Sequence, residues 1–450
     1  MRIAFVSSSL PRRCGIATFT SDLMAATRTA DPDLSTWVAA IDEPNVVRLY
    51  NREVRWRIRE GDPSSYRAAA AAINDSKVDV VNVQHEFGLY GTWHMAGTES
   101  VYEDHLRPFL EELRKPVVTT LHSVPPKPSP SMREAVLSIV ELSHQVVVMA
   151  TTAVDLLATD YHVQEPPIVI PHGMPAIEPH GRIRIKAKLG LQDQTIISTF
   201  GLVDPRKGIE YMVEAMPDVV ARHPNALYLI AGQTHPNLLR SQGEQYRNSL
   251  IDTVERLGLR DHVSFIDQYL AQRDIIDLLL ASDVYVTPYL DPRQITSGTL
   301  AYAMGAGKAI VSTGYLHAKE ALGEGRGILI GFRNADQLAA AVNSILASSE
   351  RKQTLEHMAY AYAREMTWPK LGRRWVELMS RPAATDTVRP RLRAARTGTE
   401  RHAGSSPAPA SIAAVVPTTE TVVTEIPEDE RSSPRMSPDM MPSVMTHGRP

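Results

Sequence analysis

At 450 residues and 43 % hydrophobic content, the chain can build two buried cores and still carry an extension. A formal net charge of −3 gives no global electrostatic case for nucleic acid or for an anionic membrane surface. The only cysteine, Cys14, excludes an intramolecular disulfide and a cysteine-based zinc site, and fits a reducing, cytoplasmic compartment.

The N-terminal "MRIAFVSSSLPRRCG" reads as a buried strand rather than a signal peptide. No apolar run reaches the length of about 18 residues needed for a membrane span, so only peripheral membrane contact is compatible with the chain. Short apolar, β-branched runs then recur between helical patterns: "RIAFVSS", "VDVVNVQ", "PVVTTLH", "HQVVVMA", "PPIVIP", "TIISTFG", "ALYLIAG", "HVSFID", "DVYVTPY" and "KAIVST". That alternation predicts an α/β chain with parallel sheets. A break at "PHGMPAIEPHGRIRIKAKLGL" divides the strands into two Rossmann-like sheets. The expected organisation is a first domain over 1–173, a linker over 174–186, a second domain over 187–364 and a closing helix over 365–380. From Arg381 to Pro450 there is no Phe, Trp or Tyr, and Pro, Ser, Thr, Ala and Arg are abundant. Such a segment buries too little apolar area to offset its ordering entropy, so 381–450 is predicted to be disordered.

Ligands of such sheets sit beyond the carboxyl ends of the strands, so the residues there carry the functional reading. Gly15 follows the first strand and opens a helix; it marks either a close backbone approach to a ligand or an ordinary turn. Gln84, His85 and Glu86 follow "VDVVNV", where they either cap the loop or meet sugar hydroxyls. His122 follows "PVVTTL" and is either structural or a group that donates, accepts or moves a proton near neutral pH. After "TIISTFG", Arg206 and Lys207 place two cations beside a helix start near Gly208. After "DVYVTPY", the run Gln294, Thr296, Ser297, Gly298, Thr299 enters another helix. Free N–H groups and the helix dipole make that turn an anion site. Two phosphate-suited loops thus face one inter-strand mouth.

In this order the pieces resemble the retaining family-4, or group 1, glycosyltransferases of the GT-B fold, with a mannosyltransferase-like character. The resemblance spans Met1 to about Met379 and is carried by "FGLVDPRKGIEYMVEAMPDVVARHPNALYLIAGQ", "ERLGLRDHVSFIDQYL", "LLLASDVYVTPYL", "AYAMGAGKAIVST" and "MTWPKLGRRWVELM". It implies two Rossmann-like domains across a cleft. It also implies metal-independent transfer of a hexose from a nucleotide-diphosphate sugar to a carbohydrate or other hydroxyl acceptor, with retention and without a cofactor. In that reading Lys207 holds the donor diphosphate, and Arg206 supplies a charge that the family often carries at the place of Leu202. Gly15 lies on the glycine loop, His122 contacts the transferred sugar, and the loops at 84–91 and 122–128 shape the acceptor pocket. The family's usual glutamate pair falls on Gln294 and Tyr302, so the expected grip on sugar and ribose is altered. That departure leaves open a phosphorylase-like enzyme using phosphate or a sugar 1-phosphate, and a non-catalytic sugar- or nucleotide-binding protein.

Overall fold

The computed structural model describes residues 1–96 and 99–384. The predicted disorder of 381–450 therefore falls, beyond Ala384, outside the described residues. The first lobe carries β1 (Arg2–Ser7), β2 (Ser35–Asp42), β3 (Val54–Arg59), β4 (Val80–His85), a hairpin of β5 (Gly91–Ala96) and β6 (Glu99–Asp104), then β7 (Val117–Leu121), β8 (Gln145–Val148) and β9 (Ile168–Val169). The second carries β10 (Thr195–Phe200), β11 (Ala226–Ala231), β12 (Val263–Ile266), β13 (Val284–Thr287), β14 (Ala309–Thr313) and β15 (Ile328–Ile330). Both main sheets are parallel, in the orders β3-β2-β1-β4-β7-β8-β9 and β12-β11-β10-β13-β14-β15. Strand order reverses between β1 and β4 and again between β10 and β13, and those two points are where such sheets open a crevice.

All ten predicted runs are strands. β4 (VVNVQH) and β11 (ALYLIA) are buried at every position, as expected of strands covered by helices on both faces. β3 has no apolar run to mark it: its VRWRIR alternates arginine with apolar residues and forms a sheet edge. β2, the β5–β6 hairpin and the three-residue β15 are further strands beyond the ten runs. The expected linker is largely structured. Met174 bridges to Thr367 and packs in the second core, and Arg182–Lys188 is helical, with Lys186 Nζ 2.5 Å from Asp283.

The chain ends its described course by returning to the first lobe. Helix Trp368–Ala384 lies along helix Gly15–Ala30, and Trp368, Leu371, Trp375, Leu378 and Met379 join Ile3, Phe5, Phe19, Leu23 and Met24 in one core. Gly372 permits the approach: a Cβ there would lie 2.4 Å from the Ala26 carbonyl oxygen. Among the described residues no helix is long and apolar enough to cross a membrane.

In the second lobe, Lys308 is 2 % exposed and, among the described residues, donates only to the Ser282 carbonyl, at 3.3 Å. Burial, and then the Arg182 charge, pull its ammonium down to about 7 from the ordinary 10.5. A depressed ammonium is a full cost below the folded value, relieved as pH climbs toward the unfolded one. Stability attributable to Lys308 should therefore rise between about pH 7 and 10.5, by roughly 2–4 kcal/mol. Lys308→Met should melt higher than the wild type at pH 7, with the gap closing by pH 10. Parallel melting curves across that range would place the charge in solvent.

Candidate active site

The four loops at the two switch points meet between the lobes. Direct contacts tie the lobes there. Arg13 donates to Gln233 at 2.7 Å, Thr18 and Tyr269 hydroxyls lie 3.0 Å apart, and Tyr302 donates to Asp22 at 3.1 Å. Arg240 reaches Glu43 at 3.1 Å, and Glu320 accepts from the Thr151 and Thr152 amides at 2.7 and 2.9 Å. The last contact caps a first-lobe helix with a second-lobe carboxylate.

Among the described residues, Lys207 has no carboxylate partner. It follows β10 in a short turn that ends on Gly208, whose φ is 60° and whose Cβ would stand 2.2 Å from the Pro288 carbonyl oxygen. Only glycine meets both demands, and it draws the post-β10 turn against the post-β13 loop. The Lys207 ammonium then sits 3.8 Å from the centroid of the Tyr289 ring. Burial, and next the Arg206 charge, bring it down to about 8. Tyr289 is hydroxyl-bonded to Thr299 at 2.6 Å, and Thr299 lies 3.2 Å from Ser297. Ser297 caps helix Gly298–Gly305 through Leu300, and the first amides of that helix have no intrahelical acceptor. Thr296 Oγ1 is buried without a partner. The two predicted anion loops are thus one nest, joined through Tyr289.

The other expected residues divide. Arg206 is not a second free cation. Its guanidinium forks onto Asp204, with two contacts of 2.8 Å, and although burial pushes the Asp204 carboxyl up, Arg206 holds it below its usual range. Gln294 folds its amide onto the Thr296 carbonyl at 2.9 Å, within its own loop. Tyr302 is nearly buried and gives its hydroxyl to Asp22 while accepting from Gln272 at 3.0 Å, so it ties lobes together. Gly15 begins a helix with open space where a Cβ would stand. From the first lobe, His122 Nε2 meets Gln84 Oε1 at 2.8 Å. Gln84 is wholly buried beneath His122 and does not reach the cleft. His85 is also a core residue. Its ring stacks on Tyr90, both ring nitrogens lack partners, and burial drops it to about 3. Glu86 is half-buried, accepts from Ser123 at 2.6 Å, and lies within electrostatic reach of Arg206 across the cleft; burial raises its carboxyl.

Two residues joined the cleft without being anticipated. His172 lies against the helix start: a Cβ on Gly298 would come within 2.8 Å of its Nε2. Its Nδ1 donates to the Gly173 carbonyl at 2.8 Å, and burial brings it to about 4. It stands in "PHGMP" directly after a strand, so the strand-end rule could have found it. His317 is buried near His172 and has no such signal. Among the described residues, no group of three or more His, Cys, Asp or Glu is arranged to hold a metal ion.

Comparison with known proteins gives a family match over residues 181–366, to glycosyl transferases group 1. Spore coat protein SA of Bacillus subtilis is 29 % identical over 179 residues, or 39 % of this chain and 45 % of that one. A phosphatidyl-myo-inositol mannosyltransferase of Mycolicibacterium smegmatis is 29 % identical over 148 residues, 33 % and 34 % of the two chains. The chain thus spans less than half the length of these relatives. Among solved structures, Anabaena HepE in complex with UDP and glucose superposes with a TM-score of 0.64 at 16 % identity, covering 84 % of this chain and 99 % of that one. Sucrose-phosphate synthase from Thermosynechococcus elongatus gives 0.65 at 18 %, covering 84 % and 98 %. These neighbours share the GT-B fold. Residues 181–366, which make up most of the second lobe, match the glycosyl transferases group 1 model, and the chain is similar to proteins of that family over this stretch.

Proposed function

We propose that the protein transfers a hexose from a nucleotide-diphosphate sugar to an acceptor hydroxyl, with retention and without a metal ion. The observation that carries this reading is Lys207: a half-buried ammonium with no carboxylate partner among the described residues, over Tyr289, beside the amides that open helix Gly298–Gly305. A diphosphate completes that nest. Breaking the anomeric carbon–oxygen bond develops negative charge on the leaving phosphate. Lys207 and the amides of Gly298 and Thr299, already in place, stabilise that charge more than the ground state. The sugar lies toward His122, and the acceptor enters along Glu86 and Ser123, attacking the face that the phosphate leaves. Arg206, held by Asp204, contributes to the field without touching phosphate.

A second reading is favoured by one observation, the commitment of the Tyr302 hydroxyl to Asp22. A phenol engaged across the lobes cannot take both hydroxyls of a ribose, which suits a phosphate or sugar 1-phosphate ligand. Incubation with a panel of nucleotide sugars and sugar 1-phosphates, read by phosphorus NMR, separates the two. Nucleoside diphosphate appearing supports the transferase, and inorganic phosphate appearing supports the phosphorylase. No product from any donor defeats both.

The same tyrosine gives a binding prediction. A 2′-deoxy nucleoside diphosphate should bind within about threefold of the ribo form, under about 0.7 kcal/mol. Calorimetric titration of both decides it. A ribo preference of about tenfold or more would show another residue gripping the ribose.

A further inference from the structure

Beneath the cleft, four polar groups of the first lobe stand in single file, and each fixes the proton of the next. The Val118 carbonyl can only accept, so Asn82 Nδ2, 3.4 Å away, donates to it. That sets the Asn82 amide and leaves Oδ1 to accept from Gln84 Nε2. Gln84 then turns Oε1 toward His122 Nε2 at 2.8 Å, and an amide oxygen can only accept. The proton of the imidazole is thereby assigned to Nε2. Asn82 and Gln84 are alternate residues of β4 on one face, and both are fully buried, so water cannot substitute for either. The ring is also held in plane. The His122 amide donates to the His85 carbonyl at 2.9 Å, and Phe19 meets the ring edge-on with centroids 4.8 Å apart. Burial, and then the neighbouring His172 and His85, keep the imidazole neutral. Nδ1 is left with its lone pair and, among the described residues, without a protein partner, on a residue that is 7 % exposed.

We propose that Asn82 and Gln84 are positioning residues that lock His122 as the Nε2-protonated imidazole, so that it meets the transferred sugar only as a hydrogen-bond acceptor at Nδ1. The part played by the sugar rests on the function proposed above; the lock itself does not. The consequence is a specificity. A sugar with a hydroxyl at that point donates to Nδ1, whereas a carboxylate there sets lone pair against lone pair. A neutral hexose is accepted and a uronic acid carrying its charge at that point is refused.

The test uses the full chain labelled with nitrogen-15 at histidine, with the His122 signals identified by their loss in His122→Asn. Long-range proton–nitrogen spectra should show a neutral, Nε2-protonated ring from about pH 5.5 to 8, well past the ordinary histidine value of about 6.5. Asn82→Leu, which never touches the ring, should release the Gln84 amide and give a mixture of tautomers. Gln84→Glu should keep the Nε2 proton and bring a cationic ring into the neutral range. A wild-type ring protonated on Nδ1, or titrating near its ordinary value, overturns the proposal even if every variant fails to fold. The correct tautomer with no sugar donor turned over leaves the lock standing and removes the sugar. For a donor that is turned over, Asn82→Leu should lower kcat/KM roughly tenfold, the worth of one misplaced hydrogen bond. An unchanged kcat/KM beside mixed tautomers would overturn the role in selection.

Discussion

Replacing Lys207 by alanine is expected to lower catalytic efficiency with the sugar donor by roughly 10- to 150-fold. The estimate is that of one charge-assisted hydrogen bond, about 1.5–3 kcal/mol, at about 1.4 kcal/mol per decade. The loss should be large because Arg206, the neighbouring cation, is already forked onto Asp204. The pH dependence has a definite sign. In the free protein Lys207 lies at about 8, pulled down first by burial and then by Arg206. A phosphate beside it favours the ammonium and raises that value, so binding takes up a proton above the free value. Donor affinity should be level below about pH 8 and then fall, approaching a decade per pH unit. Lys207→Arg, charged throughout, should flatten the fall. Steady-state kinetics and titrations between pH 7 and 9 check both statements. A folded Lys207→Ala enzyme with unchanged kinetics would remove the lysine from the site.

The largest effect on stability is expected at the returning helix. Trp375 is 1 % exposed in the core that the helix shares with β1 and helix Gly15–Ala30. Trp375→Ala should cost about 3–5 kcal/mol, the range for removing a buried aromatic side chain. Trp375→Phe should cost far less than the alanine change, because the indole nitrogen is buried without a partner among the described residues and its removal ends an unmet donor. Thermal unfolding of the three proteins, read at the leading transition, provides the check. Equal melting for alanine and tryptophan would mean that the helix is not held to the first lobe.

What was legible in the sequence follows the range of the forces involved. Near-continuous β-branched runs such as "VDVVNV" and "ALYLIA" announce buried parallel strands because both faces must be apolar. β3 was not legible in that way, since arginine takes every second position of an edge strand. The anion nest was legible because its parts are local: a glycine turn, a cap, a helix start. The Asp204–Arg206 fork is equally local, and "DPR" could have revealed it. The role of Gln84 could not be read, because it depends on the pairing of β4 with β7 that sets it beside His122. Nor could that of Tyr302, whose partner Asp22 lies 280 residues away on the other lobe.

The central claim is that Lys207 and the start of helix Gly298–Gly305 form one diphosphate site. A crystal structure of the full chain soaked with a nucleoside diphosphate tests it most directly. The account predicts phosphate oxygens within about 2.7–3.2 Å of Lys207 Nζ and of the Gly298 or Thr299 amide, with His122 on the facing wall. Phosphates bound elsewhere in the cleft, with Lys207 still resting on Tyr289, would contradict it.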